Sequence, residues 1–125
     1  MSAGPLLRFT IASLALAAGL PAAAAGDSAR GKDLYETYCT TCHSVDANKV
    51  GPAHRGVFGR KAGSAPGYSY STAVASSGVV WNEETLSRWL TDPEKFIPGQ
   101  KMGFSVSDPK EREDLIAYLK TLSAR

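Results

Sequence analysis

The sequence has 125 residues, of which 43% are apolar and 21% charged, an ordinary globular composition that excludes a disordered or collagen-like chain. Its 14 basic and 12 acidic residues leave a formal charge of +2, which excludes a strongly basic nucleic-acid binder and a like-charge interaction tail. Two cysteines are too few for a disulfide scaffold, and one domain is expected.

Residues 1–25 differ in kind from the rest, with one basic residue, Arg8, and no acid. An apolar stretch from Phe9 to Leu20 leads to Pro21 and a run of alanines, with small residues at Ala23 and Ala25 where a signal peptidase reads. That order is a secretory signal. Residues 1–25 are expected to be cleaved, leaving residues 26–125 as a single domain in the bacterial periplasm. The alternative is a retained membrane anchor. A spanning helix needs roughly 20 apolar residues, whereas the run from Phe9 to Ala25 is shorter and broken by Pro21.

The first helix is predicted over residues 28–40, with Leu34, Tyr35 and Tyr38 at helical spacing. A second opens at Asn82 as N-cap, carries Leu86, Trp89 and Leu90 on one face, and stops before Pro93. A third opens at Asp108-Pro109-Lys110-Glu111, a cap with proline at the first helical position and glutamate three residues after the cap. Its apolar face is Leu115, Tyr118, Leu119 and Leu122. Between the first two helices, Val50 to Val79 is rich in Gly, Pro, Ser and Ala, with no alternation that argues for a sheet. So long a loop is rare in a compact domain unless something functional organises it. Short helices and a long loop bury little apolar surface, so a further component is expected to complete the core.

Cys39-Thr40-Thr41-Cys42-His43 is a C-x-x-C-H motif at the end of the first helix. Two cysteines three apart can bond to the vinyl groups of a haem, and the following histidine can ligate its iron, the pattern of c-type haem attachment. Two rival readings exist. A C-x-x-C redox pair wants a βαβ context that is absent here. A zinc site wants four ligands, and His54 is the one further strong nitrogen or sulfur ligand. Export favours haem, because c-type attachment follows it. A sixth iron ligand is sought next, and a thioether would raise the reduction potential. With Met1 removed, Met102 is the one methionine left, in the turn-rich segment Ile97-Pro98-Gly99-Gln100-Lys101-Met102-Gly103-Phe104. A core-filling role is its alternative.

With these motifs, the sequence resembles the class I cytochromes c, of the mitochondrial cytochrome c and bacterial cytochrome c2 kind. The resemblance runs from Gly31 to about Leu122. Its blocks are the C-x-x-C-H motif; Gly51-Pro52 with Gly56-Val57-Phe58-Gly59-Arg60-Lys61; Pro66-Gly67-Tyr68-Ser69-Tyr70; Trp81; Trp89; Phe96-Ile97-Pro98-Gly99 before Met102; and residues 111–120. It implies an all-α fold of short helices and long loops wrapped round one covalent haem c, with the first and last helices crossing where Gly31 and Tyr35 meet Leu115 and Tyr118. It implies His43 and Met102 as axial iron ligands. The Pro52 carbonyl would accept from His43 and fix its orientation. Arg60, Tyr68, Tyr70 and Trp81 would enclose or hydrogen-bond the propionates, whose burial requires donors.

Some positions depart from the family pattern. The loop from His43 to Pro52 is shorter than in the mitochondrial proteins. His54 stands where a haem-packing leucine is usual, next to Pro52 on the His43 side, and reads as an exposed or partly buried histidine. It could also titrate near the haem. Val74 replaces a polar residue, Gln100 replaces a threonine, and Trp89 replaces a tyrosine whose hydroxyl donates to the methionine sulfur. Glu94 and Asp33 stand where the family has lysine, so the cluster of Lys32, Lys49, Lys61, Lys95 and Lys101 round the haem edge is weakened.

The function implied is a soluble single-electron carrier of a respiratory or photosynthetic chain, not an enzyme. Membrane redox complexes or other electron-transfer proteins would dock transiently near the exposed haem edge. The chain is expected to be a monomer, with no nucleic-acid partner and no stable membrane insertion. Two alternatives share the haem: a domain of a membrane-tethered oxidase or reductase, and a protein with an open site for peroxide or gas. For the second, no distal acid–base pair is evident.

Overall fold

The computed structural model describes residues 26–124 without a break, together with Met1, residues 3–5, Ala15 and Gly19. The expected signal segment falls almost entirely outside the described residues. Five helices follow one another: α1 (Ser28–Tyr38), α2 (Thr72–Ala75), α3 (Glu83–Thr91), α4 (Pro93–Phe96) and α5 (Pro109–Thr121). Among the described residues, β-structure is limited to one isolated antiparallel bridge, Lys61 with Val80. No helix among them is long and apolar enough to cross a membrane. The all-α expectation is met.

The three long helices begin where their side-chain caps stand. Asp27 accepts from the Ala29 and Arg30 amides, and Asp108 from those of Lys110 and Glu111. Asn82 and Thr85 cap each other, each side chain taking the other's backbone N–H. Glu111 does not reach back to its own cap. Its carboxylate takes the Tyr38 hydroxyl at 3.2 Å, which joins α5 to α1.

Three boundaries differ from the sequence reading. First, α1 ends at Tyr38 rather than Thr40, because the chain tightens into turns at the cysteine motif. Second, Pro93 ends α3 as expected but also opens α4, where its missing N–H costs nothing at a first-turn position and Asp92 caps the Lys95 amide. Third, α2 lies inside the stretch read as a loop, capped by Ser71. A four-residue helix is too short to show a periodic signal.

α1 and α5 cross, and Gly31 is the point of closest approach. A Cβ placed there would run into the Asp114 carbonyl and lie 3.0 Å from the Tyr118 Cβ, so only glycine allows this crossing. Tyr35 is buried against Tyr118 with ring centroids 5.1 Å apart. The core continues through Leu115, Leu119 and Leu122 of the last helix and its cap to Leu86, Trp81 and Val57. The gathering of Gly31, Tyr35, Leu115 and Tyr118 at one crossing is as the resemblance implied.

The long connection is organised by backbone hydrogen bonds to other segments. Gly51, His54 and Arg55 donate to the carbonyls of Cys42, Ser44 and Val45, folding residues 44–55 back on the cysteine motif. Gly59 donates to Trp81, Trp81 to Arg60, and Ala62 to Val79.

Candidate functional site

The site starts where α1 unwinds. Cys42 and His43 both donate their amides to the Cys39 carbonyl, at 3.1 and 2.8 Å. One turn therefore carries both thiols and the imidazole. The cysteines are free, Cys39 half-buried and Cys42 exposed. Burial, reinforced by Cys42, pushes the Cys39 thiol up to about 11. That is opposite to the depressed value of a reactive redox pair. Nor do the described residues gather three or more His, Cys, Asp or Glu side chains as a metal cage, so the zinc arrangement is not formed among them.

His43 Nδ1 lies 2.8 Å from the Pro52 carbonyl oxygen. A carbonyl can only accept, so Nδ1 carries the proton and Nε2 keeps its lone pair for a metal. Burial lowers the His43 pKa, the Pro52 bond opposes this, and Lys49 adds to the lowering, a direction that favours the neutral ring. Gly51 makes room for it, since a Cβ there would overlap the imidazole.

Met102 is half-buried in the segment joining α4 to α5. Its backbone N–H is taken by the Gln100 side-chain oxygen. The Gln100 amide donates to Glu94 at 3.1 Å, and the Gly99 N–H reaches the same carboxylate at 2.9 Å. Lys101 donates to the Ser69 carbonyl at 2.7 Å. This short segment is held by side chains on both flanks. Glu94 supplies an acceptor to the methionine segment from a position where the family places lysine. The Trp89 ring packs on Trp81, centroids 5.4 Å apart, and among the described residues no hydrogen bond joins its indole to the Met102 sulfur.

Arg60, Tyr68, Tyr70 and Trp81 are brought together. Arg60 and Trp81 are joined through the backbone, and Tyr70 meets Tyr68 edge to face at 4.7 Å. Arg60 is near enough to Tyr70 to interact with it electrostatically; burial first, against that interaction, lowers the guanidinium pKa. The donors differ in how they are used. Tyr68 gives its proton to the Val50 carbonyl at 2.6 Å. Two Arg60 nitrogens go to the Arg55 and Ala53 carbonyls, while its Nε is buried with no partner among the described residues. Tyr70 accepts from the Ala65 amide at 3.0 Å, which leaves its own proton for another acceptor. Among the described residues no oxygen takes the Trp81 indole N–H. A buried guanidinium N–H without an acceptor is costly. A group that brings carboxylates between these side chains would satisfy it, so this donor set fits the propionates of a haem.

The lysines are partly spoken for. Lys49 donates to the Thr40 carbonyl at 2.6 Å, and Lys32 pairs with Glu36 at 3.7 Å. Sequence reasoning missed the contacts of His54. It is partly buried, one of the two settings expected, but its contacts were not foreseen: it lies against His43 and shares a hydrogen bond with the Tyr35 hydroxyl, 2.8 Å away. Neither residue signals the other, because they are 19 positions apart on segments of different conformation. The one clue was the departure at position 54 itself.

Comparison with known proteins gives a consistent picture. The family model described as cytochrome c matches residues 28–123. The chain is 48% identical over 101 residues to a cytochrome c of Gibberella zeae, covering 78% of this chain and 95% of that one. It is 47% identical over 100 residues to a cytochrome c2 of Rhodopila globiformis, covering 78% and 94%. Among solved structures, cytochrome cH from Methylobacterium extorquens superposes with a TM-score of 0.74 at 48% identity, over 77% of this chain and 99% of that one.

Proposed function

The chain belongs to the cytochrome c family and has the class I fold, and from that premise we propose that its iron is held between His43 and Met102 and that it works after export. Membership makes it an electron carrier with one covalently bound haem c. The haem supplies a one-electron iron couple when bound. The observation that carries the reading is the His43 Nδ1 bond to the Pro52 carbonyl, which presents Nε2 as the ligating atom.

The chain's own residues divide the work. Cys39 and Cys42 anchor the porphyrin by thioether bonds. Pro52 holds the proton of His43 on Nδ1 and orients the ring. Gln100 and Glu94 hold the backbone of the Met102 segment, which keeps the thioether in reach. Arg60 Nε, the Tyr70 hydroxyl and the Trp81 N–H meet the propionates. Tyr68 packs on Tyr70 and closes the site toward Val50, and Trp89 fills the space behind Trp81. His43 and Met102 would both hold the iron and leave it no open position for a substrate, which is why the protein is read as a carrier rather than an enzyme.

The charge pattern shapes the partners. The excess of base over acid is small, 14 against 12, and Glu94 turns its carboxylate to the methionine segment. Electrostatic steering toward acidic redox partners is weak, and the encounter is transient. The signal-like residues 1–25 direct the protein to the periplasm, where it serves a respiratory or photosynthetic chain as a monomer.

One characterisation tests this. Purified protein is expected to have the intact mass of residues 26–125 plus one haem, a low-spin spectrum with the weak near-infrared absorption of methionine–iron bonding, and a positive midpoint potential. A colourless protein, or rapid CO binding by the untreated ferrous form, overturns it. Retention of residues 1–25 overturns the export reading alone.

A further inference from the structure

The ligand set leaves one partly buried cluster unused. His54 has its Nδ1 2.8 Å from the Tyr35 hydroxyl. Its ring lies on that of His43, with centroids 4.0 Å apart and planes within 20°. Tyr35 meets His54 edge-on at 5.5 Å and is itself 2% exposed, packed from α1 against Tyr118 of α5. The imidazole of residue 54 therefore stands between the proposed iron ligand and the helix crossing, joined to each by a different kind of contact.

The hydrogen bond from His43 to Pro52 fixes where Nδ1 points. Together with the Cβ–Cγ bond it orients the ring, but one hydrogen bond tolerates a range of tilts and so leaves the plane some freedom. A flat group lying against the face of His43 removes that freedom. For this, the flat group must itself be held. We propose that His54, locked by Tyr35, is a positioning residue that sets the plane of the His43 imidazole and couples it to the packing of α1 on α5.

Three features support the assignment over simple space-filling. A leucine would occupy the volume but offers neither a flat face nor an atom for Tyr35 to hold. The Tyr35 hydroxyl is buried, and a buried hydroxyl without a partner is costly; among the described residues its hydrogen-bond partner is His54. Finally, the His43 and His54 planes lie within 20° at a centroid separation of 4.0 Å, the near-parallel arrangement in which one face restrains the other.

The inference rests on the reading of His43 as an iron ligand, and the experiment separates the two. Holoprotein is prepared as wild type, Tyr35→Phe, His54→Phe and His54→Leu. In a low-spin ferric haem, the spread and order of the paramagnetically shifted haem-methyl resonances report the plane of the axial imidazole. Wild type that lacks a low-spin histidine-ligated spectrum overturns the ligation reading and this inference with it. Given that spectrum, Tyr35→Phe is expected to shift the methyl pattern while keeping volume and ligation. His54→Leu is expected to shift it further, and His54→Phe, which restores a flat face without the hydrogen bond, to return part of the way. Thermal midpoints are measured alongside. If Tyr35→Phe and His54→Leu lower the midpoint but leave the methyl pattern as in wild type, the pair is structural only and the inference is overturned. Tyr35→Phe decides the matter alone if the position 54 variants do not fold.

Discussion

The α1–α5 crossing and the segment from Arg60 to Trp81 are built in contrasting ways. At the crossing, the polypeptide supplies both halves of each contact: Gly31 against the Asp114 backbone, Tyr35 against Tyr118, Tyr38 against Glu111, and the Asp114 carboxylate against the Asp27 amide and Lys110. Around Arg60, the polypeptide supplies donors and omits acceptors. Arg60 Nε is buried and unpartnered, and among the described residues the Tyr70 proton and the Trp81 N–H have no oxygen to go to. The first region is nearly complete as protein: its Asp114 Oδ2 makes no hydrogen bond but has the Arg30 guanidinium 3.5 Å away. On the proposed reading, the second is half of an interface whose other half would be the haem. The comparison teaches that several unpaired donors gathered together mark a place for a non-protein group better than a single one does, since Arg112 Nε in α5 is also buried without a partner among the described residues.

The widest break in that comparison comes from removing the anchors. Cys39→Ala with Cys42→Ala leaves the donors round Arg60 unsatisfied and the core without its largest apolar component. A domain of this size has little margin, and the variant is expected to be largely unfolded, with most of the far-ultraviolet helical signal lost. A native-like circular dichroism spectrum would mean that the second region also closes on itself, and the distinction would fail.

A smaller effect attacks the complete region while leaving the cofactor side untouched. Gly31→Val forces a branched side chain into the Asp114 carbonyl and Tyr118. Overpacking costs typically 1–3 kcal/mol, and here the obstacle is backbone rather than a movable side-chain end, so a loss of about 3 kcal/mol is expected in denaturant unfolding. The visible spectrum of the folded fraction should be unchanged. A change in the visible spectrum at native conditions would show that ligation itself depends on the crossing, beyond the ring-plane coupling assigned to Tyr35 and His54.

The two regions also differ in how far the sequence reveals them. The helices of the crossing carry their own signals. Asn82 and Asp108 are caps readable from residue type, and the apolar spacing of Leu115, Leu119 and Leu122 marks a buried face. The turn at Cys39 and the proposed ligand His43 are legible because covalent attachment demands a fixed spacing. What surrounds them is not local. α2 and α4 are single turns set by Ser71 and Asp92 caps and by the packing around them, so they leave no period. The convergence of Arg60, Tyr70 and Trp81 came from family resemblance, since nothing in their spacing predicts a shared acceptor. The use of Glu94 to hold Gly99 and Gln100 was invisible, because a carboxylate in place of a lysine reads first as a change of surface charge.

The finest test concerns the charge inside the complete region. Asp114 is fully buried, and burial alone would raise its pKa. The Asp27 N–H at 2.7 Å, the Lys110 ammonium at 2.9 Å and the Arg30 guanidinium at 3.5 Å outweigh this and hold it below the ordinary carboxylate value. A folded-state pKa below the unfolded one means that the unfolded chain binds the proton more readily. The stabilisation is therefore present above about pH 4, the ordinary aspartate value, and is lost as pH falls through the lower folded value. The thermal midpoint is expected to drop on acidification below that point. Asp114→Asn is expected to lower the midpoint at neutral pH, because Lys110 loses its partner and the start of α1 loses its charged tie to α5. It is also expected to flatten the acid limb relative to wild type. Parallel acid limbs in the two proteins would show that the crossing does not depend on this ion, and that its closure is a matter of packing at Gly31 and Tyr35 alone.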